Sequence, residues 1–341
     1  MSIVAAEPQH GPRRVSLICT VLDEGESIRR LMDSVVAQSR PPDEVVIVDG
    51  GSRDNTLEVL REYAGRLPLH IFVEPGANIS RGRNVAIGAA AGAIIASTDA
   101  GVWLEPRWLE SLVAGFEEPG TGAGRPQWAA GFFVPDAHSV FEMAMGATVL
   151  PAPKDVNAAV FLPSSRSVAF TKEAWAAAGG YPEWLDYCED LIFDFRLRDR
   201  AGPFAWAPDA IAHFRPRRSL GAFFRQYYRY ARGDGKADLW RARHAIRYVT
   251  YLVLLPGFLA LIIWQHPLWI LALLAGTLVH CRSPYRRLGR YVVTLSAVDR
   301  LRAVLWVPTI RAAGDIAKML GYPAGWAWRL RHWADPQIHW R

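Results

Sequence analysis

Cysteine is scarce: Cys19, Cys188 and Cys281 are the only three in 341 residues, an odd number without paired spacing. That excludes a disulfide framework and a zinc ribbon, and it suits a reducing compartment. The first fourteen residues hold no apolar run of signal-peptide length, so nothing there directs secretion, and 1–14 is expected to be a flexible lead-in. No internal repeat or low-complexity tract is present. Charged residues make up 21% against 51% hydrophobic, which excludes wholesale disorder and leaves enough apolar material for about two domains.

Charge is also missing locally. From Tyr248 to Cys281 there are 34 residues without Asp, Glu, Lys or Arg. One helix of that length would measure about 51 Å, against a bilayer core of roughly 30 Å. The Gln265-His266-Pro267 break near the middle predicts two helices, about 246–264 and 267–281, joined by a tight turn. Arginines flank the pair (Arg241, Arg243 and Arg247 before it, Arg282, Arg286, Arg287 and Arg290 after it), while the turn carries none. By the positive-inside rule both flanks stay in the cytoplasm. The competing reading is a buried hairpin of a soluble protein, or a re-entrant one.

The net charge of +6 conceals an asymmetry. Residues 1–209 carry 18 basic and 28 acidic side chains, 210–250 ten and two, and 280–341 eleven and three. An acidic body with a basic, Trp-rich end argues against nucleic-acid binding and fits attachment to an anionic membrane face, at the cytoplasmic side of the inner membrane. Beyond the hairpin, Tyr291 to Leu320 and then Gly325-Trp326-Ala327-Trp328-Arg329 through Trp340 suit helices lying at the interface.

The first half alternates as an α/β sheet does. Apolar runs at Val15–Thr20, Glu44–Val48, Leu69–Glu74 and Ala93–Thr98 predict strands. Amphipathic stretches near 27–38, 55–64 and 81–91 predict helices between them. Short strand–helix units predict a mainly parallel sheet with right-handed crossovers, with ligands at the carboxyl ends of its strands. Asp49 and Asp99 would then share one rim.

Those ends carry specific residues. Ser16-Leu17-Ile18-Cys19-Thr20-Val21-Leu22-Asp23-Glu24 is followed by Val46-Ile47-Val48-Asp49-Gly50-Gly51-Ser52-Arg53-Asp54-Asn55-Thr56. Next come Ser80-Arg81-Gly82-Arg83-Asn84, Thr98-Asp99-Ala100-Gly101 and Cys188-Glu189-Asp190. In that order they resemble the landmarks of a family 2 glycosyltransferase with the GT-A fold. The resemblance covers about 15–235, leaving 236–341 as a membrane-associated helical region. It implies an inverting transfer from a nucleoside diphosphate sugar, a UDP-sugar foremost, in cell-envelope glycan or glycolipid synthesis. The layout, with the membrane hairpin holding the carboxylate rim near the headgroups, favours a membrane-bound, lipid-linked acceptor.

On that resemblance, Glu24 and Asp49 take the base and ribose, although Asp-Gly-Gly-Ser is also plain turn chemistry and Asp54 can cap the next helix. Arg81 and Arg83 stand at a helix start where anions are favoured, or form a solvated basic face. The family's Asp-x-Asp motif holds a divalent cation, Mn2+ or Mg2+, that neutralises the departing diphosphate. Here it reads Asp99-Ala100-Gly101, so the second carboxylate is missing. Asp99 remains the metal candidate, with His213 as a possible further ligand. Asp190 is the expected base with Glu189 beside it, two carboxylates whose repulsion can raise one pKa. They also suit a helix N-terminus. Trp184 can stack on a sugar or lipid, or belong to the core. Gln226-Tyr227-Tyr228-Arg229-Tyr230 resembles the Gln-x-x-Arg-Trp signature of processive members, with Gln226 towards the acceptor and Arg229 towards the diphosphate. Equally, Arg229 can be part of a lipid-facing basic surface. Two short helices are too few for a polymer pore. A non-catalytic scaffold and nucleotidyl transfer are the other readings.

Overall fold

A computed structural model describes residues 13–117 and 126–340. The expected flexible lead-in therefore lies outside the described residues, apart from 13 and 14. The described chain forms two compact units. The first is 1–133, 158–181 and 193–212; the second is 134–157, 182–192 and 213–341.

The first unit is built on β1 (Val15–Val21), β2 (Glu44–Asp49), β3 (Leu69–Val73), β4 (Ile94–Ser97), β5 (Val102–Leu104), β6 (Trp128–Pro135), β7 (Val168–Thr171) and β8 (Ala205–Phe214). Their order in the sheet is β3-β2-β1-β4-β7-β6-β8-β5. The pairs β1–β2, β1–β4 and β2–β3 are parallel, whereas β7 runs antiparallel to both β4 and β6. Parallel strands covered on both faces read as unbroken apolar runs. Every residue of β2 is accordingly buried, and so are six of the seven in β1. The helices α1 (Ile28–Val36), α2 (Thr56–Arg61), α3 (Ile79–Ala89) and α4 (Trp108–Glu117) connect or follow these strands. In α1 the residues at 3–4 spacing, Ile28, Leu31, Met32 and Val35, are the buried ones. One face of the sheet packs Ile18, Val46, Val48 and Ile95 with Trp128, Phe170, Tyr181, Phe193 and Leu197 into a single cluster.

Of the next helices, α5 (Val140–Val149) belongs to the second unit and α6 (Lys172–Ala177) to the first, while α7 (Glu189–Ala201) begins in the second and continues in the first from residue 193. They are followed by α8 (Leu220–Lys236), α9 (Arg241–Val249), α10 (Leu255–Trp264), α11 (Trp269–Leu288) and α12 (Ala297–Arg331). A π-helical turn, Thr250–Leu254, joins α9 to α10, so helix runs from Arg241 to Trp264. That stretch has 24 residues and contains an 18-residue window with a mean hydropathy of 2.0, long and apolar enough to cross a membrane, and none of that window is buried.

The break falls where the sequence placed it, but the two arms differ. In α11 the unbroken uncharged run ends before Arg282, and Arg282, Arg286 and Arg287 lie in its last two turns. The apolar part of α11 is thus roughly 20 Å long, short of the ~30 Å hydrocarbon core.

The helices expected to lie at the interface are instead one 35-residue helix, α12, with a buried stripe through Ala303, Val307, Ile310, Gly314, Ala317, Gly321 and Gly325. Ala303 and Val307 pack with Ala147, Cys281 and Leu288, and from Ile310 onward the stripe packs along α8. A Cβ on Gly321 would stand 2.2 Å from the Tyr228 carbonyl oxygen, and one on Gly325 2.1 Å from that of Arg232. Only glycine allows helix backbones to approach so closely. Consequently α8, which the sequence assigned to the body ending near 235, is grouped with the C-terminal helices.

Candidate active site

In the first unit, the loops after β1 and β2 are laced together. Asp23, in a left-handed conformation (φ 51°), receives the Arg53 amide at 2.8 Å, and its own amide donates to Ser52 Oγ. The amides of Glu24 and Gly25 both donate to Thr56 Oγ1, at 2.9 and 2.8 Å. Glu24 is thereby fixed at the carboxyl edge of the sheet, half-buried, with its carboxylate accepting from Ser27 Oγ. Asp49 behaves differently from the expectation. It is 0% exposed, and its carboxylate takes the amides of Gly51 and Ser52 and the Ser52 hydroxyl. A carboxylate closed by its own turn shapes the loop rather than presenting itself to a ribose.

Asp99 sits just past the end of β4. Arg83 Nη2 donates to its Oδ1 at 2.7 Å, and Arg166 Nε lies 3.3 Å from its Oδ2. The Arg83 side chain is 3% exposed, while Arg166 and Asp99 are each 23% exposed. Burial of Cys19 raises its thiol pKa well above the usual range, the negative charges of Asp99 and Glu24 raise it further, and Arg83 opposes them. These groups therefore share one neighbourhood. Arg81 does not join it; it is exposed, and it pairs with Glu74 at 2.5 Å.

In the second unit, the segment 184–190 is pinned to α8 residue by residue. Asp186 takes Arg232 and Lys236, and Arg229 Nη1 donates to the Tyr187 hydroxyl at 3.0 Å. Cys188 Sγ lies 3.3 Å from the Tyr230 carbonyl oxygen and 3.5 Å from Asp234 Oδ1. Cys188 has φ 66°, a strained choice for a residue with a Cβ, costing of the order of 1–3 kcal/mol. It is the joint that turns the chain into α7, whose first two residues are Glu189 and Asp190. Gly233 makes room for it: a Cβ there would meet the Tyr187 carbonyl oxygen at 2.6 Å and Cys188 Sγ at 2.9 Å. Glu189 is buried, and Asp190 is half-buried with its Oδ1 on the Leu191 amide.

Gln226, which donates to the Tyr230 hydroxyl, and Arg229 therefore belong with the acid pair on one platform. Trp184, half-buried, stacks on Trp328 of α12 with ring centres 6.1 Å apart and planes 9° apart.

Residues 16–134 match the family model described as glycosyl transferase family 2. Curated relatives include glycosyltransferase AglE of Haloferax volcanii, 28% identical over 72% of this chain and 81% of that protein. The succinoglycan biosynthesis protein ExoA of Rhizobium meliloti is 27% identical over 73% and 79%. The chain contains a glycosyltransferase family 2 domain within residues 16–134. Its fold agrees with that of the mannosyltransferase PcManGT from Pyrobaculum calidifontis, solved with GDP-Man and Mn2+. The TM-score is 0.52 at 18% identity, covering 95% of this chain and 88% of that one. The transferase thus has the GT-A architecture expected from its landmarks.

For a resident divalent cation the residues of this transferase are a poor fit. Among the described residues no three His, Cys, Asp or Glu side chains come together to hold a metal ion. Both oxygens of Asp99 face guanidinium groups, and position 101 supplies no ligand. His213 is one of the last two residues of β8, which fall in the second unit, and joins no such cluster. Sequence reasoning missed Arg166 altogether. The available signal was a polar tetrad, Ser164-Ser165-Arg166-Ser167, directly ahead of an apolar strand.

Proposed function

We propose that this transferase moves one sugar, with inversion, from a nucleoside diphosphate sugar to a hydroxyl or phosphate oxygen of a membrane-bound, lipid-linked acceptor in the synthesis of a cell-envelope glycan or glycolipid. The donor class is the one found with the GT-A neighbour, and the pathway class is that named for ExoA. The carrying observation is the acid pair at the start of α7, fixed to α8 through Asp186, Tyr187 and Cys188.

Asp190 accepts the acceptor's proton while that oxygen attacks the anomeric carbon. The new carbon–oxygen bond forms as the bond to the diphosphate breaks, and the diphosphate leaves with the bonding pair. Glu189, buried behind it, holds the first turn, where the helix dipole favours an anion. Gln226 and Arg229 face the acceptor's polar end. Attachment through the helix Arg241–Trp264, with basic residues on both flanks of the hairpin, supports an amphipathic acceptor and a cytoplasmic-face location.

The test is Asp190→Asn in the full chain, purified in detergent and supplied with native lipid extract. Sugar transfer should fall at least a hundredfold, as expected for removal of a general base, while binding of nucleoside diphosphate stays at the parent level. Transfer at the parent rate would remove Asp190 from the chemistry.

A further inference from the structure

Asp99, Arg83 and Arg166 form a unit whose charge runs opposite to what a cation site needs. We infer that Arg166 contacts the donor's diphosphate, and that the Arg83–Asp99–Arg166 group, rather than a resident divalent cation, offsets the charge of the departing nucleotide. This rests on the donor assignment made above.

Arg166 is held on every side. Its carbonyl accepts from Thr98 Oγ1 at 3.0 Å, its Nη1 donates to Ser164 Oγ at 3.3 Å, its Nε faces Asp99 Oδ2, and its guanidinium lies 5.7 Å from the centre of the Phe133 ring. A guanidinium fixed in this way is preorganised for a phosphate, which it matches two-pronged, and it needs no ordering when the ligand arrives. Arg83, almost wholly buried, anchors the other oxygen of Asp99 and cannot itself reach out. The exposed edge of the group therefore belongs to Arg166 and Asp99, each 23% exposed, and of these two only the guanidinium attracts a phosphate.

Electrostatics decides between the two modes. An Asp-x-Asp motif between two arginines would be neutral, and with Glu24 added it would be net negative, a setting that draws in a cation. With one carboxylate the same three groups carry a net positive charge, and with Glu24 they are neutral. That setting accepts a diphosphate directly. Packing does not force the missing acid at 101: a Cβ on Gly101 would meet nothing within 4 Å, so an aspartate fits there.

The experiment measures binding of UDP, GDP and the matching nucleosides to the full chain in detergent, by calorimetry and melting temperature, in EDTA and in Mn2+. The parent protein should bind its preferred nucleoside diphosphate equally in both. Arg166→Gln should weaken that binding on the order of 10- to 100-fold, the worth of a hydrogen-bonded charge pair, and leave nucleoside binding unchanged. Gly101→Asp, placed in open space, should bind more weakly than the parent in EDTA and recover with Mn2+. Binding by the parent that vanishes in EDTA and returns with Mn2+ overturns the inference and leaves the donor assignment standing. So does an Arg166→Gln protein that melts like the parent and binds as tightly. No binding of any nucleoside diphosphate in either condition overturns both.

Discussion

The tightest glycine of the first unit is Gly131 on β6, and adding one methyl group there should be costly. Its φ is not left-handed, so the glycine is needed for room alone. A Cβ would stand 2.0 Å from Ser167 Oγ, 2.5 Å from the Ala210 carbonyl oxygen and 2.9 Å from Ala210 Cβ. Ser167 Oγ is itself committed: it accepts from Trp108 Nε1 and donates to the Ala210 carbonyl, each at 2.8 Å, with Ser167 and Trp108 fully buried. Gly131→Ala must displace that hydroxyl. Overpacking costs about 1–3 kcal/mol, and an indole N–H left without an acceptor in the interior about 1–3 kcal/mol more. Together that is roughly 2–6 kcal/mol, or a melting temperature lowered by roughly 5–20 °C for a unit of this size.

Calorimetric melts of the full chain measure it, with Gly88→Ala in α3 as control. There a Cβ meets nothing, so the change should be neutral or stabilise by up to about 1 kcal/mol. Ser167→Ala alone should cost about 1–3 kcal/mol, and the double variant less than the sum, because the nearest obstacle has gone. Because Arg166 precedes Ser167 in the chain, Gly131→Ala should also weaken nucleoside diphosphate binding. A Gly131→Ala protein melting within about 2 °C of the parent, under 1 kcal/mol, would refute this reasoning.

Two further outcomes follow from other sites. Burial acts to raise the Glu44 carboxyl, but the Ser16 hydroxyl and the amides of Ala91 and Gly92 outweigh it and hold it below the ordinary carboxylate range. A depressed carboxylate stabilises above its unfolded pKa and loses that contribution as pH falls through its folded one. Glu44→Gln should thus destabilise by about 1–3 kcal/mol at pH 7, with the gap closing below about pH 4; a gap independent of pH in urea titrations counts against it. In the second unit, Gly325→Ala pushes against backbone of α8 at Arg232, Gly235 and Lys236. It should cost about 3 kcal/mol or more, read from tryptophan-fluorescence melts beside Gly257→Ala, which meets nothing. Equal melting of the two variants would remove close helix contact as the reason for the glycine.

What the sequence determined by itself was whatever is written in short periods. Buried parallel strands are unbroken apolar runs, so β1, β2 and β4 were legible, and α1 announced its inner face through Ile28, Leu31, Met32 and Val35. The hairpin was legible because 34 residues without charge need no partner to be recognised. Glu189-Asp190 stood out because two adjacent acids before an amphipathic stretch mark a helix start.

Tertiary structure decided the rest, because it depends on residues far apart in the chain. Arg166 meets Asp99 only because β7 pairs antiparallel with β4, which brings the polar tetrad before β7 to the end of β4. Asp49 looked like a ligand contact and is instead enclosed by its own turn, since its burial depends on the strands on either side. The basic, tryptophan-rich end looked interfacial by composition. Its glycines at 314, 321 and 325 fall on one side of a helix, and only the position of α8 shows that this side is filled, by the Phe223 ring at 314 and by backbone at 321 and 325. Periodicity specifies which face of an element is buried; it carries no information about what buries it.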